Sequence, residues 1–199
     1  MIAAAARPRR PSDLTRLLLF DPESNAYADR ELSELPRILR APDILVFNDS
    51  ATLPAALRPN DTLELRLTGQ APDGSFWAIT LGSGDHRQPT ERRGPAPTLC
   101  VDCEIAFSEQ LQARVVEIDP SHPSRVRLAF TQQGAAFWAG LYRSARPIQY
   151  AYLRAELELW DIQTPFASVP WSVEMPSAGK PFNWALLSAL RRQGLSWAV

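Results

Sequence analysis

Lysine is almost missing from this chain: Lys180 is the only one, and every other basic side chain apart from two histidines is arginine. Cysteine is as scarce as histidine, with two of each. His86 and His122 both fall in loop-like, Gly- and Pro-rich surroundings, which leaves little room for a histidine-based nucleophilic triad. A net charge of −1 supplies no general basic field toward nucleic acid. Contact with RNA therefore has to come from local clusters, Arg7 with Arg9 and Arg10, or Arg92 with Arg93. No window approaches the ~18 consecutive apolar residues of a membrane span, so no membrane partner is expected. The opening M-I-A-A-A-A-R-P-R-R has no basic segment ahead of its short apolar run, unlike a secretory signal. With two cysteines and no export signal, the expected setting is a reducing cytoplasm.

What is present is ordinary for a globular protein, 45% apolar and 22% charged, and 199 residues suffice for one or two domains. Leu14–Phe20 reads as a strand that enters a turn at Asp21-Pro22. Over Asp29–Arg40, the spacing of Leu32, Leu35, Ile38 and Leu39 predicts a short helix capped by Asp29, with Pro36 as a potential break. Asp43–Asp49, D-I-L-V-F-N-D, reads as a β-rich run, buried on both faces if it is a central strand. From Leu57 onward the texture changes to short alternating runs at Thr62–Leu67, Ser75–Leu81, Leu111–Ile118 and Arg125–Phe130, separated by Gly, Pro and Asp clusters. These predict a small antiparallel barrel or sandwich over Arg58–Phe130. A helix is expected at Gln132–Arg143, while Tyr150–Trp160 fits either an extended or a helical segment. A last helix is expected over Asn183–Gln193, with Trp184, Leu187 and Leu190 on one face and Gly194 as its stop. Leu195–Val199 begins a strand.

Several stretches invite chemistry. In V-E-M-P-S-A-G-K-P-F, Val173–Phe182, two prolines bracket the small residues Ser177, Ala178 and Gly179, which would let a ligand approach the backbone. Pro181 suits the first turn of a following helix, whose free N–H groups would face an anionic or polar group. A plain strand-to-helix connection explains the same residues. Gly179-Lys180 fails as a phosphate loop, because Glu174 stands where a glycine is needed and Pro181 where Ser or Thr is needed. Cys100-Val-Asp-Cys103 needs two further ligands for zinc, and neither histidine spacing suits; two incidental cysteines and no metal are expected. Asp49 and Glu174 each close an apolar run beside small residues, where a carboxylate can serve as general base or hold a ribose hydroxyl. A simple turn-closing role explains Asp49 equally well.

Two stretches carry a resemblance. Asp43–Leu57, D-I-L-V-F-N-D-S-A-T-L-P-A-A-L, is similar to the D-L-L-V-F-N-D-T-R-V-I-P-A-R-L block of the S-adenosylmethionine:tRNA ribosyltransferase-isomerase family. Ile162–Phe182, I-Q-T-P-F-A-S-V-P-W-S-V-E-M-P-S-A-G-K-P-F, resembles that family's Y-Q-T-V-Y-A…A-A-P-T-A-G-L-H-F block. The resemblance implies an α+β protein: an incomplete mixed α/β large domain, residues 1–57 and 146–199, split by an inserted antiparallel β-barrel with its following helix, residues 58–145. It also implies transfer and isomerisation of the ribosyl group of S-adenosylmethionine onto 7-aminomethyl-7-deazaguanine in tRNA. The implied partners are tRNA, a small-molecule nucleoside and a C-terminal half not contained in this sequence. Asn48, Asp49, Glu174, Ser177, Ala178 and Gly179 are the expected substrate-binding residues, with no catalytic residue assigned.

Departures accompany the likeness. Ala51 and Ala56 stand where the family block has arginines that can hold a phosphate or carboxylate in a fork. Pro181 replaces a histidine and can neither shuttle a proton nor donate from its backbone. Glu174 brings a carboxylate to a position held by a small residue. A non-catalytic nucleoside- or RNA-binding relative is the rival expectation.

Overall fold

The computed structural model describes residues 15–153 and 155–199. Arg7, Arg9, Arg10 and Leu14 lie outside them. The chain runs through β1 (Arg16–Asp21), β2 (Ala26–Glu31), α1 (Leu35–Ile38), β3 (Ile44–Val46), β4 (Ser50–Thr52), β5 (Ala56–Asn60), β6 (Leu63–Gln70) and β7 (Phe76–Leu81). It continues through β8 (Glu104–Ser108), β9 (Leu111–Ile118), β10 (Arg125–Phe130), α2 (Gly134–Ser144), β11 (Val169–Ser172), α3 (Trp184–Arg192) and β12 (Ser196–Ala198). The class is α+β, with few helices and one large sheet. Two compact units result: Thr52–Ile162 with Trp171–Glu174, and the described residues of 8–51 with 163–170 and 175–199.

In the first unit six antiparallel strands follow the order β5-β6-β7-β10-β9-β8. The two end strands, β5 and β8, contact each other, so the sheet nearly closes into a barrel. Period-two alternation supplies its interior: Leu63, Leu65 and Leu67 from β6, Leu111, Ala113 and Val115 from β9, and Val126, Leu128 and Phe130 from β10 are all buried. Each such leucine contributes about 1.5–3 kcal/mol through the water it sheds. Phe137 of α2 stacks on Phe76 at 5.3 Å and meets Phe130 at 4.9 Å, which plugs the barrel with the helix. The expected helix thus forms, two residues late. Gln132 and Gln133 instead spend their side chains on the Gln112 N–H and the Phe130 carbonyl. Strand β8 carried no clear sequence signal; β9 recruits it edge to edge. Cys100 and Cys103 are disulfide-bonded to each other across a turn in which Asp102 has φ 68°, which corrects the expectation of two incidental cysteines.

The second unit departs further from expectation. The predicted helix from Asp29 does not begin there, because Ala26–Glu31 pairs with β1 as a hairpin. Asn25, at φ 53°, makes the turn, and Asp29 salt-bridges Arg16 across the pair instead of capping a helix. Helix follows only at Leu35–Ile38, with Pro36 tolerated in its first turn. The central-strand reading of Asp43–Asp49 is also corrected. Strand β3 spans three residues, has one neighbour among the described residues, the parallel β12, and leaves Ile44 64% and Val46 77% exposed. Helix α3 follows expectation more closely: Asn183 caps it by accepting from the Leu186 N–H at 2.8 Å, and Gly194 stops it at φ 80°. Leu187 and Leu190 are buried, but Trp184 faces outward. Strands β4 and β11 pair; the Leu53 N–H donates to the Ser172 carbonyl in the first unit, and the Ser168 N–H to the Asp49 carbonyl in the second.

One residue breaks the alternation of β6. Glu64 is 4% exposed, and its carboxylate accepts from Arg66 at 2.7 Å, Arg58 at 2.8 Å and Arg93 at 3.0 Å. The Arg93 side chain is itself buried and also donates to the carbonyls of Gly82 and Gly84, so it is not the exposed RNA-facing cation the sequence suggested. Burial alone would raise the Glu64 pKa, but the bonds and charges of Arg66, Arg58 and Arg93 outweigh it and hold the carboxyl below its ordinary value. Its stabilising effect is therefore complete above the ordinary value and is lost as pH falls through the lowered native one. Glu64→Gln is expected to cost about 3 kcal/mol in urea denaturation near neutral pH, the low end for a buried charge left unpaired, because Arg58 remains partly in water. The gap between wild type and variant should narrow as the solution is acidified.

Candidate functional site

Within the second unit, both family-like blocks meet on the segment 164–168. Phe47, which follows β3, stacks on Phe166 with ring centres 4.2 Å apart and takes the edge of Phe182 at 5.0 Å. The Ser168 hydroxyl donates to Asp49 Oδ2 at 2.7 Å, and the Asp49 carbonyl accepts from the Ser168 N–H at 2.8 Å. Asn48 is exposed and uses Oδ1 to accept from the Ser50 N–H. Asn48 and Asp49 thus sit side by side just after β3, and Asp49 Oδ1 makes no hydrogen bond among the described residues. Ser177, Ala178 and Gly179 form a 3-10 turn packed on the same segment.

That packing revises the reading of the small residues. A Cβ at Gly179 would lie 3.0 Å from Phe166 Cε2 and 3.3 Å from Thr164 Cγ2, so the missing side chain at this position makes room for an aromatic ring of the protein. The helix-start reading is corrected as well. Pro181 lies ahead of α3, whose first turn belongs to Asn183 and Trp184. The Lys180 ammonium donates to the Gln163 carbonyl at 3.1 Å. Glu174 belongs to the first unit, where its N–H and carbonyl both bond the Ser172 hydroxyl. Burial first, then the charge of Glu174, pushes the Tyr150 phenol above its ordinary pKa. Ala56 pairs through its backbone with Arg146 in the first unit. Among the described residues, no group of three or more His, Cys, Asp or Glu is placed to hold a metal ion, and no helix is long and apolar enough to cross a membrane.

Residues 2–199 match the family model described as queuosine biosynthesis protein. The chain belongs to that family. It is 34% identical to the S-adenosylmethionine:tRNA ribosyltransferase-isomerase of Parvibaculum lavamentivorans, with 96% of this chain and 54% of that protein covered. The enzyme of the same name from Maricaulis maris is 33% identical, again over 96% of this chain and 54% of its own length. The chain therefore spans about half the length of these curated relatives. Among solved structures, an S-adenosylmethionine tRNA ribosyltransferase from Thermotoga maritima aligns with a TM-score of 0.35 and 19% identity, covering 98% of this chain and 52% of that one.

Sequence reasoning missed Thr164, Phe166 and Ser168, although all three lie in the second family-like block. Thr164 Oγ1 is buried without a hydrogen-bond partner among the described residues, a feature that only the folded packing creates. Gly179→Val is expected to loosen this cluster by about 1–3 kcal/mol, the usual cost of overpacking. Hydrogen exchange should speed up in peptides covering 163–182 and stay unchanged in barrel peptides covering 63–81.

Proposed function

We propose that this protein takes part in queuosine modification of tRNA as an S-adenosylmethionine:tRNA ribosyltransferase-isomerase. In this reading S-adenosylmethionine is the ribosyl donor and tRNA carrying 7-aminomethyl-7-deazaguanine is the acceptor. Epoxyqueuosine forms, and adenine and methionine are released. Family membership over residues 2–199 carries the proposal. Residues 1–57 and 146–199 are read as one discontinuous mixed α/β domain, incomplete in itself, with the barrel of residues 58–145 inserted; a C-terminal half is its natural complement. The proposed substrate contacts are Asn48, Asp49, Glu174, Ser177, Ala178 and Gly179. Asp49 is the best supported of them, since Ser168 orients its carboxylate through one oxygen and leaves the other able to accept a ribose hydroxyl. The cytoplasm, where tRNA is modified, is the proposed setting.

A second reading, a nucleoside- or RNA-binding relative without catalysis, is favoured by Ala51, Ala56 and Pro181, which remove two guanidiniums and an imidazole from the family-like motifs. One pair of measurements separates the two. Incubation with S-adenosylmethionine and the acceptor tRNA should yield epoxyqueuosine at position 34 by nucleoside mass spectrometry. Calorimetric binding of S-adenosylmethionine or tRNA without that product overturns catalysis and leaves the binding reading.

A further inference from the structure

The barrel unit holds a cavity of about 210 Å³ with Ala56, Arg58, Glu64, Arg66, His86 and Arg146 in its wall. Whole small-molecule ligands usually occupy about 300–1,000 Å³, so its occupant is a chemical group and not an entire drug-sized molecule. We propose that this cavity seats one phosphate group.

Three observations support this. First, the cavity is rich in unused donors. Arg66 spends Nε on Glu64 and has both terminal nitrogens unpartnered among the described residues. The backbone of Arg146 is locked to Ala56 by bonds of 2.8 and 2.9 Å, while its side chain makes no hydrogen bond or ion pair among the described residues. His86 Nε2 is buried and has no hydrogen-bond partner among the described residues. An orphaned buried nitrogen such as His86 Nε2 calls for an occupant that satisfies it, and the free donors of Arg66 and Arg146 lie in the same wall. Second, the buried acceptor of the wall, Glu64, is already engaged by three guanidiniums. Third, the committed charges are paired and the uncommitted donors are placed together: Arg58 and, from behind, Arg93 answer Glu64, while the terminal nitrogens of Arg66 and the guanidinium of Arg146 remain in the wall. Guanidinium forks match phosphate oxygens in geometry as well as charge.

The phosphate chemistry stands independently of the proposed reaction; only its assignment to an RNA strand rests on that reading. Arg146→Gln tests it, since Arg146 is anchored by its backbone and the fold does not need its side chain. Fluorescence anisotropy with a labelled, unmodified tRNA anticodon stem-loop should show about three- to tenfold weaker binding, and a log K against log salt slope shallower by about one. His86→Ala should weaken binding in the same direction, and circular dichroism should show both variants folded. A variant effect on AMP binding by calorimetry, with RNA binding unaffected, would assign the phosphate to a free nucleotide. Unchanged binding of both probes, or binding of neither by the wild type, overturns the proposal. A slope change without epoxyqueuosine formation would keep the phosphate seat and remove the catalytic reading, and the reverse result would do the opposite.

Discussion

A carboxylate inside a small barrel has to be answered by cations, and Glu64 sets that condition for the first unit. Its two oxygens draw Arg58, Arg66 and Arg93 to one end of β6, and Arg93 in turn fastens the carbonyls of Gly82 and Gly84. The long connection between β7 and β8 is thereby tied back to the sheet by charge-assisted bonds, in addition to the apolar packing of Ala96 and Leu99 on the core. An apolar residue at position 64 would pack, but it would leave the buried Arg93 with no carboxylate. The same convergence of guanidiniums gives the adjoining cavity its donor-rich wall. Stability and ligand chemistry at this end of the barrel share one source.

The second unit is organised by aromatic packing. Phe47, Phe166 and Phe182 come from distant parts of the chain and meet as one stacked and edge-on group. Gly179 is small because Phe166 lies against it, and Asp49 is oriented because Ser168 follows Phe166 by two residues. A small residue in a family-like motif need not mark contact with substrate: at Gly179 the missing side chain makes room for Phe166. Asp49 differs, since its carboxylate retains capacity beyond the one bond that holds it.

Legibility followed the range of the interactions. Alternating apolar residues at Thr62–Leu67, Leu111–Ile118 and Arg125–Phe130 announced their strands, because burying one face of a sheet imposes a period of two on the local sequence. Asn183 and Gly194 announced the limits of α3 through capping chemistry that is equally local. Strand β2, A-Y-A-D-R-E, carries no such period, and its conformation comes from pairing with β1. Glu104–Ser108 is likewise a strand because β9 offers an edge. The helix expected at Asp29 failed for this reason: a plausible helical spacing lost to the partner strand Arg16–Asp21, where Asp29 pairs with Leu18.

The amino-acid sequence by itself determined the α+β class, the barrel's main strands, the last helix and membership of the queuosine biosynthesis family. Each rests on patterns confined to a few neighbouring residues or on extended motif blocks. Only the tertiary structure decided that Glu64 is buried among three arginines, that Arg93 is unavailable to RNA, that Cys100 and Cys103 are joined, and that Phe166 fills the space beside Gly179. Burial, charge pairing and close contact between Glu64 and Arg93, or between Phe166 and Gly179, arise between residues far apart in the chain. No local pattern encodes which of many arginines or aromatic rings will arrive.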